Sequence, residues 1–517
     1  MSAAAGEAIA SAPVSAPASA WSRLWPWIDD RLNPILVKEV RQALRGRYFK
    51  VMFWLTLGVA TLSGLLVVAT GASSNEVEGI GQVFFMVMFG CMSAAVHAFT
   101  PFSAFLSTSA EWDENTHDLL VLSNLGPRQI VLGKLLSALI QGLLYYSTFG
   151  PFLVFAFLLN GIDLLTISVL LVCSVATCVG LSLVGIALAS LARLRAARGI
   201  LMAIFGAGLV MAWGFGMAAA GEISFSPQDL RSQEGQMGVA MFLTFVLVVG
   251  GSFGILASAR FAHDEENRST GLRIFSTFLV LAAGAWGAYL HAMVGEEETA
   301  WGMQVGAACV LSLAWLHFFS EPDGLGRRTG KHVTGKRWLA LLSIPFLPGG
   351  GRGILLFFVH FLLALTCGVL ALQTGARRDG FLEVVGMLSV FYAYLFVFLG
   401  LPSAVGRRLG NSDRARMLTR IATLVLVALT ILGPGIAGLV LGIPSWMGLR
   451  HPFNPVWVME QLERSGSTPS EVEFALVGLT IGILLTLALN AARMAGGASE
   501  VVDASAARRL RAASGQT

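Results

Sequence analysis

Over most of this chain the apolar residues keep no period of two, three or four; they fill nearly unbroken runs of twenty or more positions, separated by short polar links. A run of that length, wound as a helix, matches the roughly 30 Å apolar thickness of a bilayer. Twelve such runs are present, near 50–70, 80–106, 135–159, 164–192, 199–219, 237–259, 273–293, 301–319, 353–373, 382–405, 420–442 and 473–493. The pattern predicts an all-α polytopic helical bundle of about twelve transmembrane helices.

Two stretches depart from it. From Pro34 to about Phe49, Leu36, Val40 and Leu44 recur every fourth residue, and Lys38, Arg41 and Arg45 occupy another face beside Glu39. That is an amphipathic basic helix lying at the membrane interface, with Asn33 suited to cap it and Pro34 to its first position. A plain positive flank to the first span is the simpler alternative. The second departure is the link Glu111 to Lys134 between the second and third runs. It has an acidic start (Glu111, Asp113, Glu114, Asp118), a leucine run (Leu119, Leu120, Leu122), a Gly126-Pro127 break and a restart at Arg128. This predicts a short helix, a turn and entry into the next span. Its leucines have no soluble core of their own, so a partner protein would cover them.

Charge adds orientation. Of the 35 lysines and arginines, 30 fall on the side of the amino terminus when links are counted alternately, and only Arg231, Arg377, Arg378, Arg450 and Arg464 fall on the other. The positive-inside rule then puts both termini in the cytoplasm. A hydrophobic fraction of 55% with 13% charged residues excludes an ordinary soluble domain, whose charged share is about 25%. The net charge of +4 is thus a topology signal and gives no ground for a nucleic-acid partner.

Organisation follows. Residues 1–32 read as a disordered or interfacial cytoplasmic tail, with Trp21, Trp25 and Trp27 at its inner end and no secretory signal peptide. Residues 33–259 form one six-span set and 260–493 a second, with 494–517 a basic cytoplasmic tail. The segment 320–352 stands in the second set where 111–134 stands in the first, and Leu339 to Arg352 faintly echoes Leu119 to Arg128. Segment 443–472 is the longest external link, with a short helix starting at Asn454-Pro455 and tryptophans at 446 and 457.

The 111–134 link resembles the cytoplasmic loop of type-2 ABC transporter (ABC-2) permeases, in which an acidic pair, a Thr-Leu-Glu-Leu-Leu-like run and a turn ending in Leu-Gly-Lys contact the ATPase subunit. Glu111, Asp113, Thr116, Asp118, Leu119, Leu120, Leu122 and Val131-Leu132-Gly133-Lys134 fit that pattern; Asn115 stands where the family usually has Gly. Asn33 to Arg45 resembles the elbow helix ahead of the first span of the same family, so the resemblance covers about 33–259. It implies a permease subunit of an ATP-driven exporter, worked by a separate ABC ATPase that carries ATP and magnesium. A second permease copy or homologue and membrane lipid are further implied partners. The leucines would make the apolar contact, and Glu111, Asp113 and Asp118 would orient it.

Other chemistries fit less well. Gly330-Lys-His-Val-Thr-Gly335-Lys336 satisfies a phosphate-loop spacing, but Arg337 replaces the Ser/Thr that would hold magnesium and no strand precedes it. Its cations, with Arg327 and Arg328, read as a positive inner loop near anionic lipid. His97 and His360 are the midspan ionisable candidates; a proton-coupled transporter needs more than these. Asp113/His117 and Glu114/Asp118 have helical metal spacing, yet a solvated acidic helix start is simpler. The five cysteines all lie in apolar runs and read as packing residues. The chain itself is expected to carry no cofactor and no enzymatic activity; a membrane scaffold or sensor is the alternative reading.

Overall fold

The computed structural model describes residues 34–73, 79–114, 125–159, 162–191, 195–262, 267–374, 380–408, 413–440, 451, 454–464 and 470–514. Asn33, Thr116, Asp118, Leu119, Leu120 and Leu122 lie outside them, as do residues 1–32 and Trp446. The regular elements among them are all helical, and eleven are long and apolar enough to cross a membrane. The chain is therefore a multi-pass helical membrane protein. The twelfth expected run, 420–442, falls largely on the helix Asp413–Val440, which is not one of those eleven.

The helix α1 (Pro34–Arg45) is followed, after Gly46, by α2 (Arg47–Ser73). The next span is continuous but built of three pieces: α3 (Ile80–Ala94), a π-helical turn (Ala95–Phe99) and α4 (Thr100–Asp113). Pro101 explains the turn, because it lacks the N–H that would continue the regular ladder. Then come α5 (Pro127–Leu158), α6 (Leu164–Leu191), α7 (Arg195–Phe225), the short α8 (Pro227–Arg231) and α9 (Gln233–Phe261). The second set holds α10 (Thr270–Val294), α11 (Glu297–Phe319), two short helices α12 (Arg327–His332) and α13 (Arg337–Ser343), α14 (Gly350–Ala371), α15 (Phe381–Arg408), α16 (Asp413–Val440), the short α17 (Pro455–Arg464) and α18 (Ser470–Ala513).

The two sets share a packing plan. In each, with α16 in the place that α7 has in the first, the second long helix packs on the first, third, fourth and fifth, the third packs on the fourth and sixth, and the fourth packs on the fifth and sixth. One relation differs: α5 is flanked by α1, whereas its counterpart α14 is flanked by the span α10. The sets meet where α9 lies along α10. The larger aromatic core belongs to the second set, centred on Trp315, Phe357, Tyr392 and Phe396.

Polar side chains inside the spans are absorbed locally. His97 Nε2 is 3.1 Å from the Ser174 carbonyl and 2.9 Å from its Oγ, and Tyr146 meets that same hydroxyl at 2.8 Å. His360 Nδ1 accepts from Trp315 Nε1, which leaves Nε2–H facing Thr277 Oγ1. Both imidazoles are buried; His360 joins three helices, and His97 joins two, with Tyr146 bringing in a third through Ser174, a packing role.

Two expectations are modified. The short helix after Asn454-Pro455 is present, with Asn454 Oδ1 accepting from Val456 N–H, and although it lies in a link between spans its Trp457 is buried in the second core. The expected tail from 494 is a direct continuation of α18, which runs to Ala513. Its alanine content favours helix, and a buried stripe through Asn490, Arg493, Val501 and Ser505 holds it to the bundle.

The start of α14 crosses α18 at very short range. A Cβ on Gly351 would strike the Arg493 backbone, which cannot yield. Gly351→Leu is therefore expected to lower stability by about 3 kcal/mol or more, whereas Gly478→Leu, at a glycine with open space, should change it little. Melting temperatures of the two variants in one detergent check this.

Candidate functional site: two ion layers at the ends of the spans

Helix ends gather at two levels, and one of them carries nearly all of the buried charge. In the first set the centre is Lys134, seven residues inside α5, with a wholly enclosed side chain. Its Nζ lies 2.9 Å from Glu39 Oε1 on α1 and 2.9 Å from Glu111 Oε2 near the end of α4. Lys38, half exposed, adds a weaker contact to Glu111 Oε1 at 3.5 Å. Nearby, Arg198 at the start of α7 donates to the Ser109 carbonyl (3.0 Å) and to Asp113 Oδ1 (2.6 Å).

The local sequence explains this placement. α1 buries Ile35, Leu36 and Glu39 and leaves Lys38, Arg41 and Arg45 exposed, so Glu39 interrupts an otherwise apolar face. Ile35 enters a small core with Ala104, Ile130, Val131 and Leu135, which sets Glu39 against α5. Gly126 and Pro127 start α5, with Gln129 Oε1 accepting from Gly126 N–H. Arg128 lies exposed on its first turn, one face round from Lys134.

The acidic residues differ in role from the sequence expectation. Glu111, Asp113 and Glu114 do not begin a helix: α4 ends at Asp113. Carboxylates at a helix carboxyl end oppose its dipole, and Lys134, Lys38 and Arg198 supply the compensating positive charge. Glu111 is thereby turned inward. It is a structural partner of Lys134 and not a residue facing outward toward a partner protein.

The second set has its own layer, which the sequence reading counted only as loop charge. Arg273, fully buried on α10, donates through Nε to Ser269 Oγ, through Nη1 to the Pro345 and Leu347 carbonyls, and through Nη2 to Glu321 Oε2 (2.6 Å) and the Gly349 carbonyl. Arg493 on α18 clasps Asp323 through Nε at 2.7 and 2.9 Å and reaches Ser403 and the Glu321 carbonyl. Arg352 on α14 donates to Glu500 and to the Gly497 and Gly324 carbonyls. Arg420 on α16 donates to Ser320 Oγ and faces His317 Nδ1. Arg273 and Arg352 fall at the edges of apolar runs, and the available signal was Arg273 standing already within its run of 273–293.

A correspondence between the layers follows from the shared packing plan. Glu111 and Glu321 lie at the end of the second span of each set, and Arg198 and Arg420 reach from the fifth long helix to that same end. Between Asp323, Arg352, Arg407, Arg493 and Glu500 lies a cavity of about 130 Å³ floored by glycines. The Gly330–Lys336 segment runs over α12 and a turn, with Arg327, Arg328, Lys331, Lys336 and Arg337 all exposed. Among the described residues no group of three or more His, Cys, Asp or Glu has metal-holding proximity.

An unpaired charge left in such an interior costs about 3–5 kcal/mol. Lys134→Met is expected to destabilise by that amount in detergent melting, and Glu39→Gln/Glu111→Gln/Lys134→Met to recover most of it. Lys38→Gln, at a half-exposed pair, should stay within about 1 kcal/mol.

Glu321 gives a pH test. Burial alone would raise its carboxyl, but Arg273, His317, Ser269 and the Gly349 N–H hold it below the ordinary carboxylate value. A depressed folded value makes its contribution complete above the unfolded value of about 4.3 and lost as pH falls through the folded one. Melting temperature should therefore drop on acidification below about pH 4.3, with a shallower drop in Glu321→Gln. Comparison of the chain with family models, with curated proteins and with solved structures finds no match.

Proposed function

We propose that this chain is the membrane-spanning permease subunit of an ATP-driven exporter of the type-2 ABC kind. It sits in the inner membrane with both termini in the cytoplasm and works with a separate ATPase docked on the 111–134 link. The observation that carries the reading is the buried Glu39–Lys134–Glu111 bridge. It ties the end of α4 and the start of α5, the two anchor points of that link, to α1. The segments that resemble the family's docking loop and elbow helix, read separately from the sequence, are thus joined by one buried lysine.

Mechanically, a force applied to residues 115–124 enters the bundle through Glu111 and Lys134 together. Because both are bonded to one another, the ends of the link move as a unit with Glu39 and α1. The ATPase can shift the permease only if its two nucleotide states contact the link differently. Leu119, Leu120 and Leu122 are assigned the apolar part of that contact. Asp118 is assigned its polar part, while Glu111 transmits from within. ATP and magnesium belong to the partner; this chain supplies the path and the lever. Lys38, Arg41 and Arg45, on the exposed face of α1, favour a leaflet bearing anionic lipid.

Purification of the tagged chain in mild detergent, followed by mass spectrometry and an ATPase assay, tests this reading. An ABC ATPase is expected to accompany the wild-type chain and to fall at least tenfold with Leu119→Asp/Leu122→Asp. A wild-type chain that carries no ATPase under conditions preserving other membrane complexes would overturn the proposal in favour of a scaffold or sensor.

A further inference from the structure

In the link between α11 and α14, one short helix turns apolar side chains outward. α13 is too short to cross a bilayer, yet Trp338, Leu341 and Leu342, which share a helix face by their spacing, are 65%, 47% and 66% exposed. On its other side Ala340, and just past its end Ile344, enter a small core with Val333 and with Val501 of α18. α13 is thus held on α18 with a second apolar face left over. A cluster of that kind marks an interaction surface.

Level and charge identify what covers it. The 3-10 turn Ile344–Phe346, which follows α13 directly, is tied to the head of a span: Thr270 Oγ1 donates to the Phe346 carbonyl at 2.6 Å, and Arg273 donates to the Pro345 and Leu347 carbonyls. Phe346 therefore lies where the apolar run of α10 begins. The four residues back to Leu342 rise by about 7 Å at most, close to the thickness of the polar layer beside the hydrocarbon core. Trp338 stands one turn farther back, and Lys336 and Arg337 precede it. Leucine, tryptophan, cation is also the order in which side chains settle with distance from hydrocarbon. From Arg327 to Leu347 the chain has no Asp or Glu, whereas Arg327, Arg328, Lys331, Lys336 and Arg337 are all exposed. Arg509, beside Gly335, and Arg511 extend this field from α18. Of the nearby α18 carboxylates Glu500 is held by Arg352 and Asp503 is exposed, so the patch stays strongly basic.

We propose that residues 327–346 form a membrane-surface anchor for anionic lipid. α13 lays Trp338, Leu341 and Leu342 among the headgroups and upper acyl chains of the adjoining leaflet, and the surrounding cations bind lipid phosphates there. Through Val501 the anchor also holds the extended end of α18 near the membrane. The cations alone were legible in the sequence; the apolar face emerges once Ala340 and Ile344 are seen to be packed on the opposite side. This inference needs only the multi-pass fold and is independent of ATP-driven export.

Tryptophan fluorescence of the full chain, reconstituted in vesicles of phosphatidylcholine with phosphatidylglycerol, tests it. The Trp338 signal is read as the difference between the wild type and Trp338→Phe, an exposed-site variant first shown monodisperse by gel filtration. Lipids brominated near the headgroup end of the acyl chain are expected to quench that signal about twofold or more, and lipids brominated deep in the chain less. Shallow quenching should weaken in phosphatidylcholine alone. Quenching by aqueous acrylamide with none by either brominated lipid would place α13 in water, as a surface for a soluble protein, and shielding from all three would place a second copy on it. Either result overturns the anchor. Equal shallow quenching with and without phosphatidylglycerol overturns the assignment to anionic lipid.

Discussion

A charge that enters the apolar layer must bring its counter-charge with it, and that requirement organises one whole end of this molecule. Lys134 is placed by the register of α5, not by choice of partner, and is enclosed on all sides. Only a carboxylate from another helix can neutralise it, and two do, from α1 and α4. Their positions are thereby fixed relative to α5 more firmly than apolar packing alone would fix them, because a sliding displacement strands a charge where apolar contacts would merely repack. Arg273, Arg352 and Arg493 impose the same condition on the second set, with several of their donors satisfied by carbonyls of the 320–352 link.

This arrangement separates rigid from yielding parts. The ends of the spans are cross-tied by ions, while the middle of the second span carries a π-helical turn beside Pro101. A helix interrupted in that way bends there more readily than elsewhere.

The two sets of spans show how one packing plan supports different surfaces. Their helix neighbours are the same except beside the third span, and a glutamate lies at the end of the second span in each. What differs is what the links do with their charge. In the first set the lysine is central and two carboxylates surround it; in the second the carboxylates are central and arginines surround them. Interior packing and exposed charge are thus set independently, and a plan that recurs in the interior need not recur as a function.

What the sequence determined by itself is what depends on composition and local period: eleven of the twelve expected spans, whose apolar length must match a bilayer, the amphipathic helix from Pro34 with its basic face, and the proline starts at Pro34, Pro127 and Pro455. These are properties of a single segment and its solvent, so they are legible one segment at a time. What only tertiary structure decided is how charges pair across segments. Glu39, 95 residues from Lys134, looks in the sequence like one more polar residue on a surface helix. Glu111 looks like the solvated start of a helix that in fact ends there. Arg493 and Asp323, 170 residues apart, look like ordinary flanking charge, and residues 494–513 like a tail. Each acquires its role from a neighbour brought close by the packing of whole helices, and neither residue type nor spacing along the chain encodes that neighbour.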